Sequence, residues 1–375
     1  MKKLNLEKIF VGLFVGILTL PTVFMLAFGY FLNWEQYKHF KVYDFFMGEY
    51  QEELKCFLKE HIPVYSGFAF LKPNIENISN QKLLNGVFLK DGDLVKINNN
   101  NEKFDDFSKT IPKFKSFFNR TDKPIYFLII PSKNSFIEKK SEDFINGLKR
   151  DFDSTFQKNV SFVQTKSFFN KIKEISPYYR TSEKINGFGA YLIYCDLVKE
   201  IGEKSVDYAN FSIYTVVDDY FGELYNKNFK DKIQPDVIEI YKHYYLNIKT
   251  SVKEIDFMGK TRSRDTIFDV SYINDSNRFN LIFGKPSLIK DVRTNLKNKD
   301  RVLIFCDENV NNLMQFLTLN FSQITLVNLN DFFYVKQNVF DKINLFKANG
   351  YDKIFFIYGY NNFTVYDQFN NLKYF

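Results

Sequence analysis

Cysteine, histidine and tryptophan are scarce in this 375-residue chain, which has three cysteines, three histidines and one tryptophan. Cys56, Cys195 and Cys306 show no CxxC spacing, which argues against a zinc site or redox dithiol, and the odd count argues against a disulfide framework. Neither a metal nor a cofactor is implied. With only His39, His61 and His243 available, an imidazole base has few places to come from. The 16 glycines form no Walker-type phosphate loop, and Gly284-Lys285-Pro286-Ser287 reads as a turn. No internal repeat is present. There is also no zinc-finger spacing, RRM-like aromatic motif or basic arm, so nucleic acid is not an expected partner. The net charge of +7 is interleaved along the chain, as on an ordinary solvated surface, although an anionic wall or capsule polymer would be attracted to it.

What the chain does have is apolar material. Hydrophobic residues make up 45% and aromatics 19%, led by 45 phenylalanines, enough for a substantial core. The abundance of Phe, Lys and Asn fits an AT-rich coding sequence better than a functional aromatic surface.

The N-terminus sets an expected compartment. Lys2, Lys3 and Lys8 flank a run from Ile9 to Leu32 without one charge. As a helix rising about 1.5 Å per residue, that run would cross a hydrocarbon core of about 30 Å. Tyr30, Trp34 and Tyr37 suit the far interface. The positive-inside rule then gives a cytoplasmic tail over 1–8, a transmembrane signal anchor over 9–32, a membrane-proximal helical segment over 33–84 and an extracytoplasmic domain over 85–375. A cleaved signal peptide ending at Ala27-Phe28-Gly29 is the alternative.

Beyond the anchor, Asp91-Gly92 between apolar runs signals a hairpin over Asn85 to Leu94, and Asn98 to Asn101 a loop. Continuous apolar runs at Ile125 to Ile130, Val160 to Val163, Val302 to Phe305, Ile324 to Val327 and Ile354 to Ile357 read as buried strands. Gly189 to Glu200, Val310 to Asn320 and Val339 to Ala348 read as helices. This alternation predicts an α/β fold with a mostly parallel sheet and helices on both faces.

One stretch carries a chemical signature with its centre altered. Arg180-Thr181-Ser182-Glu183-Lys184-Ile185 runs on to Gly189-Ala190-Tyr191. It resembles the Arg-Thr-Asp-His-His-Trp…Gly-Ala-Tyr motif of the DHHW family, SGNH-hydrolase-like proteins related to the AlgX/AlgJ alginate O-acetyltransferases. Asp218 to Tyr225 resembles that family's "DDFYGTLYSK" segment, and Pro235 to Tyr241 resembles its "PDxIEIY". Arg301 to Leu313 resembles the "KLLVIKDSYANSF" strand and turn that carries its serine. Asn85 to Leu94 resembles its early "NGVFxGKDGYL".

The resemblance implies an SGNH-like domain over 85–375 in which the positions of the acid, base and nucleophile are Ser182, Lys184 and Glu308. Asp307 and Asn311 match the pattern and stand as remnant cleft residues. Acyl transfer needs a serine, an activating histidine and an orienting acid, and all three roles are changed at once. The expectation is a catalytically inactive, anchored surface protein that takes part in binding, modifying or assembling cell-surface polysaccharide. Its partners would be the membrane, a surface glycan or polysaccharide-assembly proteins. Lys184 and Glu308 are expected to face each other as an ion pair. The alternative is an active polysaccharide O-acetyltransferase or acetylesterase using other residues, with Ser132, His243 and Cys306 as the side chains to test.

Overall fold

The computed structural model describes residues 83–84, 86–96, 107–137, 141–156, 159–167, 175–225, 233–330, 339–363 and 366–375. All belong to one compact unit, Asn80–Phe375. The anchor over 9–32, most of the proximal segment over 33–84, the loop from Asn98 to Asn101, Cys56, His39 and His61 lie outside the described residues. Among the described residues no helix is long and apolar enough to cross a membrane.

The hairpin forms as its turn residues require. Strands β2 (Val87–Lys90) and β3 (Asp93–Lys96) pair antiparallel across Asp91 and Gly92, both at positive φ, 50° and 88°. Leu83–Leu84, read from sequence as the end of a helical segment, instead form β1 on the edge of β2, so the domain begins before residue 85.

Eight strands form the main sheet. Five run parallel in the order β5 (Val160–Phe162), β4 (Ile125–Ile130), β13 (Lys353–Gly359), β11 (Arg301–Cys306), β12 (Gln323–Val327). Past β12 the sheet turns antiparallel through β10 (Ile289–Thr294), β8 (Thr250–Ile255) and β9 (Thr261–Arg264), and a separate antiparallel ribbon joins β6 (Phe211–Tyr220) to β7 (Asp236–His243). These strands hid from the sequence because they alternate buried and exposed residues imperfectly, and β6 carries register shifts around Val217.

Each parallel strand feeds two cores, as the period of two demands. Val302, Ile304 and Cys306 of β11 face one side with helix α4 (Gly187–Glu200), while Leu303 and Phe305 face the other with α1 (Phe107–Phe118). Much of the phenylalanine is spent on that second face. Phe127 and Phe356 stack at 4.5 Å, and Phe114 meets both edge-on at 5.2 and 5.3 Å. Helices α2 (Lys133–Ile137) and α3 (Ser141–Thr155) connect β4 to β5.

Two expected helices are shorter than their apolar patterns suggested. Residues 310–320 divide into a 3-10 turn over Glu308–Leu313 and one α-turn, α5 (Met314–Leu317). The Asn-rich stretch diverts its side chains to other partners, Asn312 donating to the Ile185 carbonyl at 2.8 Å. After β12, α6 is confined to Phe340–Ile343 and passes into a 3-10 turn over Asn344–Phe346; α7 (Tyr360–Phe363) follows β13.

Candidate functional site

The site forms where β11 ends, at the C-terminal edge of the parallel strands, where open α/β sheets present their crevice. Asp307 caps the 3-10 turn. Its Oδ1 accepts from Asn309 N at 2.8 Å, and its Oδ2 accepts from Gly359 N and Asn362 Nδ2, both at 2.8 Å. Burial pushes its carboxyl up, and these donors oppose the shift. Asp307 is therefore committed to the turn. Glu308, the next residue, points outward and is half exposed.

The Arg180–Ile185 turn is held opposite by two groups that sequence reasoning missed. Asp236 at the start of β7 accepts from Arg180 N at 2.6 Å and from Thr181 N and Oγ1 at 2.8 and 2.5 Å. Lys133, fully buried, donates to the carbonyls of Tyr179 at 2.6 Å and Arg180 at 2.8 Å and lies 3.2 Å from Asp93. Burial lowers its pKa, and Asp93 resists that. Neither residue carries a local signal, since a buried lysine looks like a surface one until its surroundings are known.

A third missed residue enters the site itself. Glu223 stands where the resembled segment has threonine, and its carboxylate accepts from Ser182 Oγ at 2.7 and 2.9 Å and from Glu183 N at 2.8 Å. Gly222 permits this approach, because a Cβ there would meet Ser182 Cβ at 2.6 Å and the Thr181 carbonyl oxygen at 2.7 Å. Ser182 is wholly buried.

Lys184 completes the constellation. Its Nζ lies 3.2 Å from Glu308 Oε2, 3.9 Å from Glu223 Oε2 and 4.9 Å from the centre of the Phe279 ring. The structure thus brings Ser182, Lys184 and Glu308 together, joined through Glu223. Beside them opens a small, shallow cleft of about 30 Å³, lined by Phe283, Ser287, Lys290, Cys306, Glu308 and Asn311 among others. Lys290 is buried on its floor, pushed down to about 8 by burial while Glu254, 3.6 Å away, holds it up. Its ammonium donates to the Phe283 carbonyl at 2.5 Å. The turn expected at Gly284 is present, with φ of 74°.

The remaining candidates are placed away from catalysis. Cys306 is buried, and burial followed by Asp307 pushes its thiol far above the ordinary range, the reverse of what a nucleophile needs. His243 ends β7, and its Nδ1 accepts from Tyr245 N and Leu246 N, both at 3.0 Å. Ser132 is buried and donates to Ser135 Oγ at 2.9 Å. Among the described residues no group of His, Cys, Asp and Glu is arranged to hold a metal.

The five parallel strands, the turn after β11 and the facing Arg180–Ile185 turn make an α/β fold that this chain shares with a DHHW family protein and with PatB1. Solved structures sharing it include a DHHW family protein from Eubacterium siraeum, 18% identical, covering 77% of this chain and 95% of that one with a TM-score of 0.61. PatB1 from Bacillus cereus is also 18% identical, covering 74% of this chain and 96% of its own with a TM-score of 0.58. A second PatB1 structure, carrying a sulfonyl adduct, gives 17%, 74%, 95% and 0.57. At these identities the likeness establishes the fold. No family profile and no curated protein sequence matches the chain.

Proposed function

We propose that this chain is a membrane-anchored, extracytoplasmic DHHW-type protein without acyl-transfer activity, whose cleft binds cell-surface polysaccharide. The observation that carries the reading is the Lys184–Glu308 ion pair at 3.2 Å. It stands on the two positions where the resemblance places a base and a nucleophile. An ammonium held between carboxylates has no lone pair to accept a proton, and a carboxylate in the nucleophile's place lacks the activated hydroxyl. Ser182, at the acid position, spends its hydroxyl on Glu223. The anchor over 9–32 supplies the compartment, and the cleft at the strand ends supplies the binding surface.

Turnover of p-nitrophenyl acetate by the full-length protein tests this. The expected rate equals that of buffer and is unchanged in Ser132→Ala, His243→Ala and Cys306→Ala. Hydrolysis that vanishes in any one of those variants overturns the reading. Binding to purified acetylated and deacetylated surface glycans then separates a glycan-binding role from a purely structural one.

A further inference from the structure

The cleft has unspent hydrogen-bonding capacity of a particular sign. Glu308 is 45% and Glu223 43% exposed at the side chain, and they share the single cation Lys184, so the mouth is net negative on a chain of net +7. Glu308 has Lys184 as its only partner among the described residues. The second observation lies deeper. Asn311 is only 6% exposed and lines the cleft, yet its side-chain amide meets no hydrogen-bonding partner among the described residues. The amide faces the cleft, where an entering polar group can take its hydrogen bonds. Lys290 lies deeper, where Glu254 is shared between its ammonium at 3.6 Å and Arg264 at 2.5 Å, so the negative charge belongs to the mouth and not to the floor. Two residues before Glu223 in the chain, Phe221 is 36% exposed and its ring lies 4.0 Å from that of Tyr225, an aromatic pair of the kind on which a sugar face packs.

We infer that the cleft selects glycans bearing free amines, of the glucosamine type, over N-acetylated or uronic acid polymers. The ammonium of such a sugar meets Glu308 and Glu223 in charge-assisted hydrogen bonds, its hydroxyls meet the Asn311 amide, and its apolar face lies toward Phe221. A polyuronate brings carboxylates against carboxylates and is repelled. An N-acetyl group keeps the shape but removes the charge. The inference rests on the glycan-binding reading given above.

Calorimetric titration of the full-length protein at about pH 5.5, where an amino sugar carries its ammonium, compares oligomers of glucosamine, N-acetylglucosamine and galacturonic acid. The glucosamine oligomer is expected to bind about tenfold or more tighter than its N-acetylated counterpart, with the uronate weakest. Glu308→Gln should erase that preference while leaving binding of the N-acetylated oligomer in place. Asn311→Ala should weaken both amino-sugar oligomers alike. Equal affinity for amine and N-acetyl forms, or a preference that persists in Glu308→Gln, overturns the amine selectivity and leaves glycan binding standing. Failure of all three oligomers to bind overturns glycan binding itself.

Discussion

Lys184 Nζ and Glu308 Oε2 lie 3.2 Å apart, joining the Arg180–Ile185 turn to the end of β11. The side chains are 21% and 45% exposed, so solvent screens the pair and its contribution is modest. Lys184→Ala and Glu308→Ala should each lower the melting temperature, by the equivalent of about 0.5–1 kcal/mol. The double variant should lose less than the sum. Melting temperatures equal to the parent in both single variants would remove the pair as a stabilising contact.

Asp236 should matter far more. It satisfies two backbone N–H groups and one hydroxyl, and no other acceptor among the described residues is bonded to them. Asp236→Ala should destabilise by about 3 kcal/mol or more, read by denaturant unfolding. A loss below about 1 kcal/mol would mean that the Thr181 turn holds itself.

Gly222→Ala tests the packing of the two turns. A methyl group would sit 2.6 Å from Ser182 Cβ and 2.7 Å from the Thr181 carbonyl oxygen, and neither backbone can yield without breaking the Leu224 N to Thr181 O bond of 3.0 Å. A destabilisation of about 1–3 kcal/mol is expected. Its exposed neighbour Phe221→Ala should cost much less, and similar losses for the two would refute the close-contact account.

Lys290 predicts a pH dependence. Its amine falls from 10.5 to about 8 on folding, so between those values the unfolded chain binds more protons than the folded one. Stability from this group therefore rises with pH across about 8 to 10.5. The melting temperature of the parent minus that of Lys290→Met should climb through this window. A flat difference would show that the amine is not perturbed.

Restoring the motif is the strongest test of the proposal that acyl transfer has been lost. Ser182→Asp alone would place a carboxylate against Glu223, which is bonded to Ser182 Oγ at 2.7 Å, so the reversion needs Glu223→Thr as well. The combined Ser182→Asp, Lys184→His, Glu223→Thr and Glu308→Ser protein should gain esterase activity on p-nitrophenyl acetate well above the parent, while each single change gains none. A folded quadruple variant without activity would show that more than these positions has been lost.

The parallel half of the sheet was legible because β4, β11, β12 and β13 are buried on both faces, so their sequences are unbroken apolar runs. The hairpin at Asp91-Gly92 was legible because its positive φ values leave few residue choices. The extension through β10, β8 and β9 was not, because half-exposed strands are built of ordinary polar residues. Thr261-Arg262-Ser263-Arg264 becomes a strand only by pairing with β8. In the site, Ser182, Lys184 and Glu308 could be picked out from a motif whose frame survives, and the departure from threonine at Glu223 was the available pointer to the fourth member.

By itself the sequence, through its resemblance to the motif, singled out Ser182, Lys184 and Glu308 and showed that they are a hydroxyl, a cation and a carboxylate. Those are matters of composition, fixed once the chain is aligned with the motif. Only the tertiary structure decided that Ser182 turns to Glu223, that Asp307 is consumed in capping a turn and that Asn311 is left open to the cleft. The Ser182–Glu223 bond joins segments 41 residues apart, and Asp307 is fixed also by Gly359 and Asn362, 52 and 55 residues away. Local propensity carries no record of such distances, because it is the packing of β11 against β12 and β13 that sets them.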